Sequence, residues 1–197
     1  MHDSADLVRL LLAFVWVPLL MLSGVLDWAC HRHLRIEHTA GLHESLLHLV
    51  MVALIGTAIL AALYLDPTAG LLCVLLAALV LHDITYAMDL RVALASRTIP
   101  ALEQWVHGFQ HLLPWAGLAG IMALAPEQTL ALVGASDTPP DWSLRLKSPL
   151  PPAAYTAALL AGALVLNVLP FLSEARRSAR AAARAKAEGH RQVPHGQ

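Results

Sequence analysis

Asp27-x-x-x-His31, Glu44-x-x-x-His48 and Glu103-x-x-x-His107-x-x-x-His111 each set a carboxylate and an imidazole four residues apart. On a helix, such a pair differs by about 40° in direction and about 6 Å in height, so both side chains can enter one gap between helices. A fourth segment, His82-Asp83-Ile-Thr-Tyr86-Ala-Met-Asp89, puts His82, Tyr86 and Asp89 on one stripe, with Asp83 pointing about 100° away. Mixed imidazole and carboxylate donors suit iron, manganese or zinc, and neither Cys30 nor Cys73 lies among them to build an iron–sulfur centre. So many donors exceed the needs of one tetrahedral zinc; they suit two metals about 3.5 to 4 Å apart, with a carboxylate able to bridge them. The expected ligands are Asp27, His31, Glu44, His48, His82, Asp89, Glu103, His107 and His111, with Asp83, Tyr86, Arg32 and Arg91 just outside them. Asp89 has an alternative, to orient a histidine or pair with Arg91.

The elements that must position these residues are membrane helices. The 197-residue chain is 57% hydrophobic and 14% charged, too little charge to coat a soluble domain. Five segments approach the roughly 20 apolar residues that cross a bilayer, near Leu7–Leu26, Glu44–Leu65, Gly70–Met88, Leu102–Leu124 and Ala153–Leu172. This predicts an all-α integral membrane protein of about five transmembrane helices, four of them forming a metal-binding bundle. Residues 1–172 make one membrane domain and residues 173–197 a basic tail. The acidic start Met1-His-Asp-Ser-Ala-Asp and the lack of a small-residue cleavage site make the first segment an anchor, not a cleaved signal.

Bases set the orientation. A cytoplasmic C-terminus collects Arg32, Arg35, Arg91, Arg97 and the tail bases on the inside, ten against Arg9, Arg145 and Lys147 outside. The N-terminus then faces out, as in a bacterial inner membrane, and all four polar clusters fall at the inner face. Ionisable groups at membrane depth are costly unless paired, which marks them as a site facing the bundle interior. A water-filled proton relay or a structural polar network is the alternative. The free thiols Cys30 and Cys73 lie at opposite faces, too far apart for a bond. Arg32, Arg91 and Arg97 match phosphate oxygens as well as topology and pairing with Asp89 or Glu37. His33 and His38 are expected at the membrane interface. The outer loop, residues 125–152, reads as irregular, and the tail as a solvated anchor able to lie on anionic lipid.

On these residues the chain resembles the membrane-integral histidine-rich di-iron oxygenases, the fatty-acid desaturases and hydroxylases. The likeness covers about the first 125 residues and rests on the inner-face set, in which His107-x-x-x-His111 matches an H-x-x-x-H box. No H-x-x-H-H box is present, and carboxylates replace several histidines. The resemblance implies a lipid-bilayer enzyme that uses two metal ions, iron foremost, and electrons from a donor protein to hydroxylate or desaturate a lipid or other apolar substrate. Two other classes stay open: a zinc-dependent membrane lipid hydrolase, and an electron-transfer subunit with b-type haem. His43-Glu44-Ser-Leu-Leu-His48 misses the zinc-protease H-E-x-x-H spacing by one residue. No nucleotide or nucleic-acid motif is found. The fifth helix carries no expected ligand; its Ala154, Ala158 and Gly162 predict close packing in the bundle or a homodimer contact.

Overall fold

Long runs of Leu, Ala and Val without internal charge favour helices whose backbone groups satisfy one another, the requirement of a hydrocarbon environment. The computed structural model describes residues 3–191, with side chains to residue 188, and is all-helical there apart from an isolated bridge between Leu65 and Leu146. Helix α1 covers Ser4–Leu34, α2 Gly41–Tyr64, α3 Ala69–Ser96 and α4 Ala101–Leu124. A short α5, Pro126–Leu132, precedes an irregular stretch, and α6 runs continuously through Ala153–Ala163, Leu164–Val168 and Leu169–Arg191.

Four helices, α1, α2, α3 and α6, are long and apolar enough to cross a membrane. The fourth predicted segment does form a helix, α4. Glu103, Gln104, His107, Gln110 and His111 make its first half too polar to meet the same criterion. Leu102, Trp105, Phe109 and Leu112 nevertheless face outward on it. The predicted spans also extend further at the end that carries the polar clusters, α1 to Leu34, α3 to Ser96 and α6 well past Leu172.

Both α1 and α6 contain one π turn, at Leu12–Trp16 and Leu164–Val168, and each ends two residues before a proline, Pro18 and Pro170. A proline in a helix withholds one N–H and crowds the carbonyl four residues back, and a widened turn accommodates both effects. The π turn of α1 seats Trp16 against α4, where its Nε1 donates to the Leu113 carbonyl at 2.6 Å. Gly117 makes room for it: a Cβ there would lie 2.2 Å from the indole ring.

The half of the bundle near the α2–α3 turn is cored by Ala58, Leu71, Leu72, Leu75, Leu79 and Leu118. That end is strapped by the irregular stretch after α5, whose Lys147 backbone N–H donates to the Tyr64 carbonyl and whose ammonium donates to the carbonyls of Ala62 and Leu63. Burial pushes that ammonium below the ordinary lysine range.

The α1–α6 contact departs from the expected small-residue stripe. Ala154 and Ala158 are exposed, and only Gly162 approaches a neighbour, Met21. The tighter contact is Gly24, where an added Cβ would lie 2.1 Å from Asn167 Oδ1. Gly24→Leu is therefore expected to destabilise detergent-purified protein by about 1–3 kcal/mol through overpacking. Gly162→Leu meets only the flexible end of Met21 and should cost less; thermal unfolding giving the reverse order would refute this packing.

Candidate metal centre

The half of the bundle opposite the α2–α3 turn is built around charge. Asp27 and His31 from α1, Glu44 and His48 from α2, Asp89 from α3, and Glu103 and His107 from α4 are all buried, Asp27, His31, Glu44 and Glu103 completely. His31 is central: its Nε2 lies 3.2 Å from Glu103 Oε1, 3.4 Å from Asp27 Oδ1 and 3.7 Å from Glu44 Oε1. His107 Nε2 lies 3.1 Å from Asp27 Oδ1, and His48 Nε2 lies 3.5 Å from Asp89 Oδ2. Two sets could each hold an ion, Asp27, His31, Glu103 and His107 in one, His31, Glu44 and His48 in the other, with donor atoms within 4.8 Å of one another in each.

Two residues complete the site in ways the sequence reading missed. Glu174, on α6, is completely buried, with Oε2 3.1 Å from His31 Nδ1 and Oε1 3.5 Å from His48 Nδ1. With the protons on Nδ1, both rings point toward Glu174 on one side and turn their Nε2 lone pairs toward the cluster on the other, the arrangement that orients metal-binding histidines. Five helices therefore meet at the site, and the expectation that the last helix carries no site residue is corrected. The available signal was that Glu174 is the sole acid between Asp141 and Glu188, placed at the C-terminal end of an apolar span. Nor is residue 173 the start of a detached tail, because Glu174, Ala175 and Ser178 are buried and the Ser178 hydroxyl lies 3.0 Å from that of Ser45.

Arg97, read in sequence as a phosphate or topology residue, sits between α3 and α4 with its guanidinium inside the cluster. It donates to both oxygens of Glu103 and to Glu44, and its side chain is 6% exposed. Geometry of this kind needs the planar fork of arginine.

The remaining expected ligands lie elsewhere. His82 and His111 approach a different acid, Asp83 Oδ1, at 3.5 and 3.3 Å, and Trp115 Nε1 donates to Asp83 Oδ2 at 3.0 Å. The physical reason is height: His82 precedes Asp89 by seven residues and His111 follows His107 by four, which lifts them about 10 Å and 6 Å toward the apolar half. Tyr86 lies between the two groups, its ring centroid 5.8 Å from those of His107 and His111. Arg91 is exposed and makes no ion pair among the described residues, so Asp89 faces His48 without it. Arg32, His33, His38 and His43 are exposed and stay out of the cluster. His190 and His195 lie outside the residues whose side chains are described.

Asp27 Oδ2, His31 Nε2 and both oxygens of Asp89 are buried without a hydrogen bond among the described residues. Buried polar atoms are ordinarily satisfied. Their convergence on one volume, with donor types suited to iron, manganese or zinc, fits a metal site. No protein family, curated protein or solved structure is found to match this chain.

Proposed function

We propose that this protein is a membrane oxidoreductase that holds two metal ions, iron foremost, in the inner-face cluster and hydroxylates or desaturates an apolar chain. The observation that carries the reading is the charge balance of the site. Asp27, Glu44, Asp89, Glu103 and Glu174 bring five buried carboxylates, and Arg97 is the one Lys or Arg side chain paired with any of them among the described residues. Four negative charges remain, the number that two divalent ions neutralise, and neutral histidines can then serve as ligands. His31 belongs to both donor sets; its one free ring nitrogen would serve a single ion, and the carboxylates of the cluster would complete the coordination of the pair.

A metal pair of this kind, supplied with dioxygen and electrons, provides the oxidising chemistry. The chain supplies ligands, charge balance and dryness. Its outer half holds a cavity of about 630 Å³ lined by Trp16, Ile55, Leu79, Pro114, Leu118 and other mostly apolar residues, a volume suited to an acyl or isoprenoid chain. Leu79 and Pro114 are each three residues from His82 and His111, so the Asp83 group separates cavity from cluster. A substrate bound there would have to displace that layer to meet the metals. In this reading α4 crosses the bilayer beside the four apolar helices, the N-terminus faces out, and a donor protein delivers electrons at the cytoplasmic face.

Quantifying Fe, Zn, Mn and Cu in detergent-purified protein, with an absorption spectrum, tests the proposal. About two irons per chain are expected. Colourless protein loaded with zinc would turn the reading to lipid hydrolysis, a Soret band would turn it to haem, and metal-free protein would end it.

A further inference from the structure

We infer that a second site, separate from the buried cluster, binds a phosphate group at the inner membrane interface between α1 and α6. Trp28 and Arg32, one helical turn apart on α1, face Ser173, Arg176, Arg177 and Arg180 of α6 around a cavity of about 460 Å³. The spacing on α6 is what assembles it: residues 173, 176, 177 and 180 share one helical face, while Glu174 and Ser178 take the neighbouring face toward the metal centre. One polar helix end is thus divided into an inward acidic face and an outward basic one.

Four guanidiniums converge with no carboxylate among the lining residues. Arg177 has one distant acid neighbour, Glu37 Oε2 at 4.0 Å from its Nε, and its Nη1 reaches Ser173 Oγ at 3.5 Å. Arg32, Arg176 and Arg180 make no ion pair among the described residues. The positive-inside tendency accounts for bases on this side of the membrane, but such bases are free to spread into water. Here they do not all spread: Trp28 Nε1 and Arg177 Nη2 are buried with no acceptor among the described residues, although both residues line the cavity. Unpaired donors beside a basic cavity favour an anion, and guanidinium forks suit phosphate oxygens. The depth suits a phosphate too, since Trp28 and Ser173 adjoin Asp27 and Glu174, the inner-face residues of the cluster. The ligand is a phosphate mono- or diester, carried either by an anionic lipid headgroup or by a water-soluble molecule.

The inference does not depend on metal binding. The test uses full-length protein in nanodiscs of phosphatidylcholine doped with phosphatidic acid or phosphatidylglycerol, with lipid retention read by native mass spectrometry. Inorganic phosphate is titrated separately in neutral detergent. The variants are Arg176→Gln/Arg177→Gln, the exposed single change Arg32→Gln, and a charge-matched control, Arg184→Gln/Lys186→Gln, further along the same helix. Retention of anionic lipid over phosphatidylcholine, reduced at least about tenfold in the first variant, reduced in the second and unchanged in the control, supports a lipid-headgroup site. Saturable stabilisation by inorganic phosphate with the same variant pattern and no lipid preference supports a soluble source. Equal loss in the site and control variants would reduce the cavity to general electrostatic attraction, and absence of both responses in folded wild-type protein would overturn the site. Arg32→Gln decides the matter if the double variant fails to fold, because Arg32 projects from the surface and supports no packing.

Discussion

If the cluster holds the proposed metal pair, His31→Ala is expected to reduce tightly bound metal from about two ions per chain to less than one and to abolish the proposed turnover. No other side chain in the cluster touches as many partners: its two nitrogens lie within 3.7 Å of Asp27, Glu44, Glu103 and Glu174. Glu44→Ala, His48→Ala, Glu103→Ala and His107→Ala should each lower metal content as well, since each removes a donor from one of the two sets. Glu174→Gln keeps the shape but weakens the acceptor that holds both imidazoles, so affinity should fall about 10- to 100-fold with the stoichiometry recoverable at high metal. His82→Ala should retain the full complement, because His82 belongs to the Asp83 group. Metal analysis of folded, detergent-purified variants is the measurement. Wild-type metal content in His31→Ala and Glu103→Ala would sink the two-metal reading and favour a proton relay. Loss in His82→Ala equal to that in His31→Ala would place the metals higher in the bundle.

Arg97→Met is expected to be among the most destabilising single changes in the protein, by about 3–5 kcal/mol, because it leaves two buried carboxylates facing each other without their cation. The guanidinium joins Glu44 of α2 to Glu103 of α4 from the turn after α3, so its loss also unties three helices at the inner end. Arg97→Lys should fall between wild type and Arg97→Met, since an ammonium keeps the charge but loses the planar two-point grip on both oxygens of Glu103. Thermal unfolding in detergent checks this, with and without a chelator. Bound metal should narrow the gap between variants, because it supplies positive charge to the same two carboxylates. If Arg97→Met unfolds at the wild-type temperature under chelation, the guanidinium does not neutralise the pair.

The buried carboxylate–histidine cluster was legible in the sequence because helical period alone decides which residues of one helix share a face. Asp27 with His31, Glu44 with His48, and Glu103 with His107 are neighbours on any α-helix, and charge-free runs on either side fix their depth. Glu174 was not legible in the same way. It stands without a histidine one turn away, and only the packing of α6 against α1 and α2 brings it to His31 and His48. His82 and His111 illustrate the opposite error: correct face, wrong height. A stripe continues along a helix indefinitely, whereas a site has a finite depth set by which helices cross there.

What the sequence by itself determined is the class of environment and the local pairs: helices long enough for a bilayer, and carboxylate–imidazole couples at one end of them. Short-range periodicity and hydrophobic length are properties of a single helix, so one chain read in order suffices. The tertiary structure decided which couples converge, that Arg97 turns inward to neutralise Glu44 and Glu103, and that the basic residues of α6 split from Glu174 and Ser178 to face a separate cavity. Those outcomes depend on rotations and offsets between helices, fixed by close contacts such as Gly24 with Asn167 and Gly117 with Trp16. Such contacts join residues about 100 or more positions apart, beyond the reach of any periodicity along the chain.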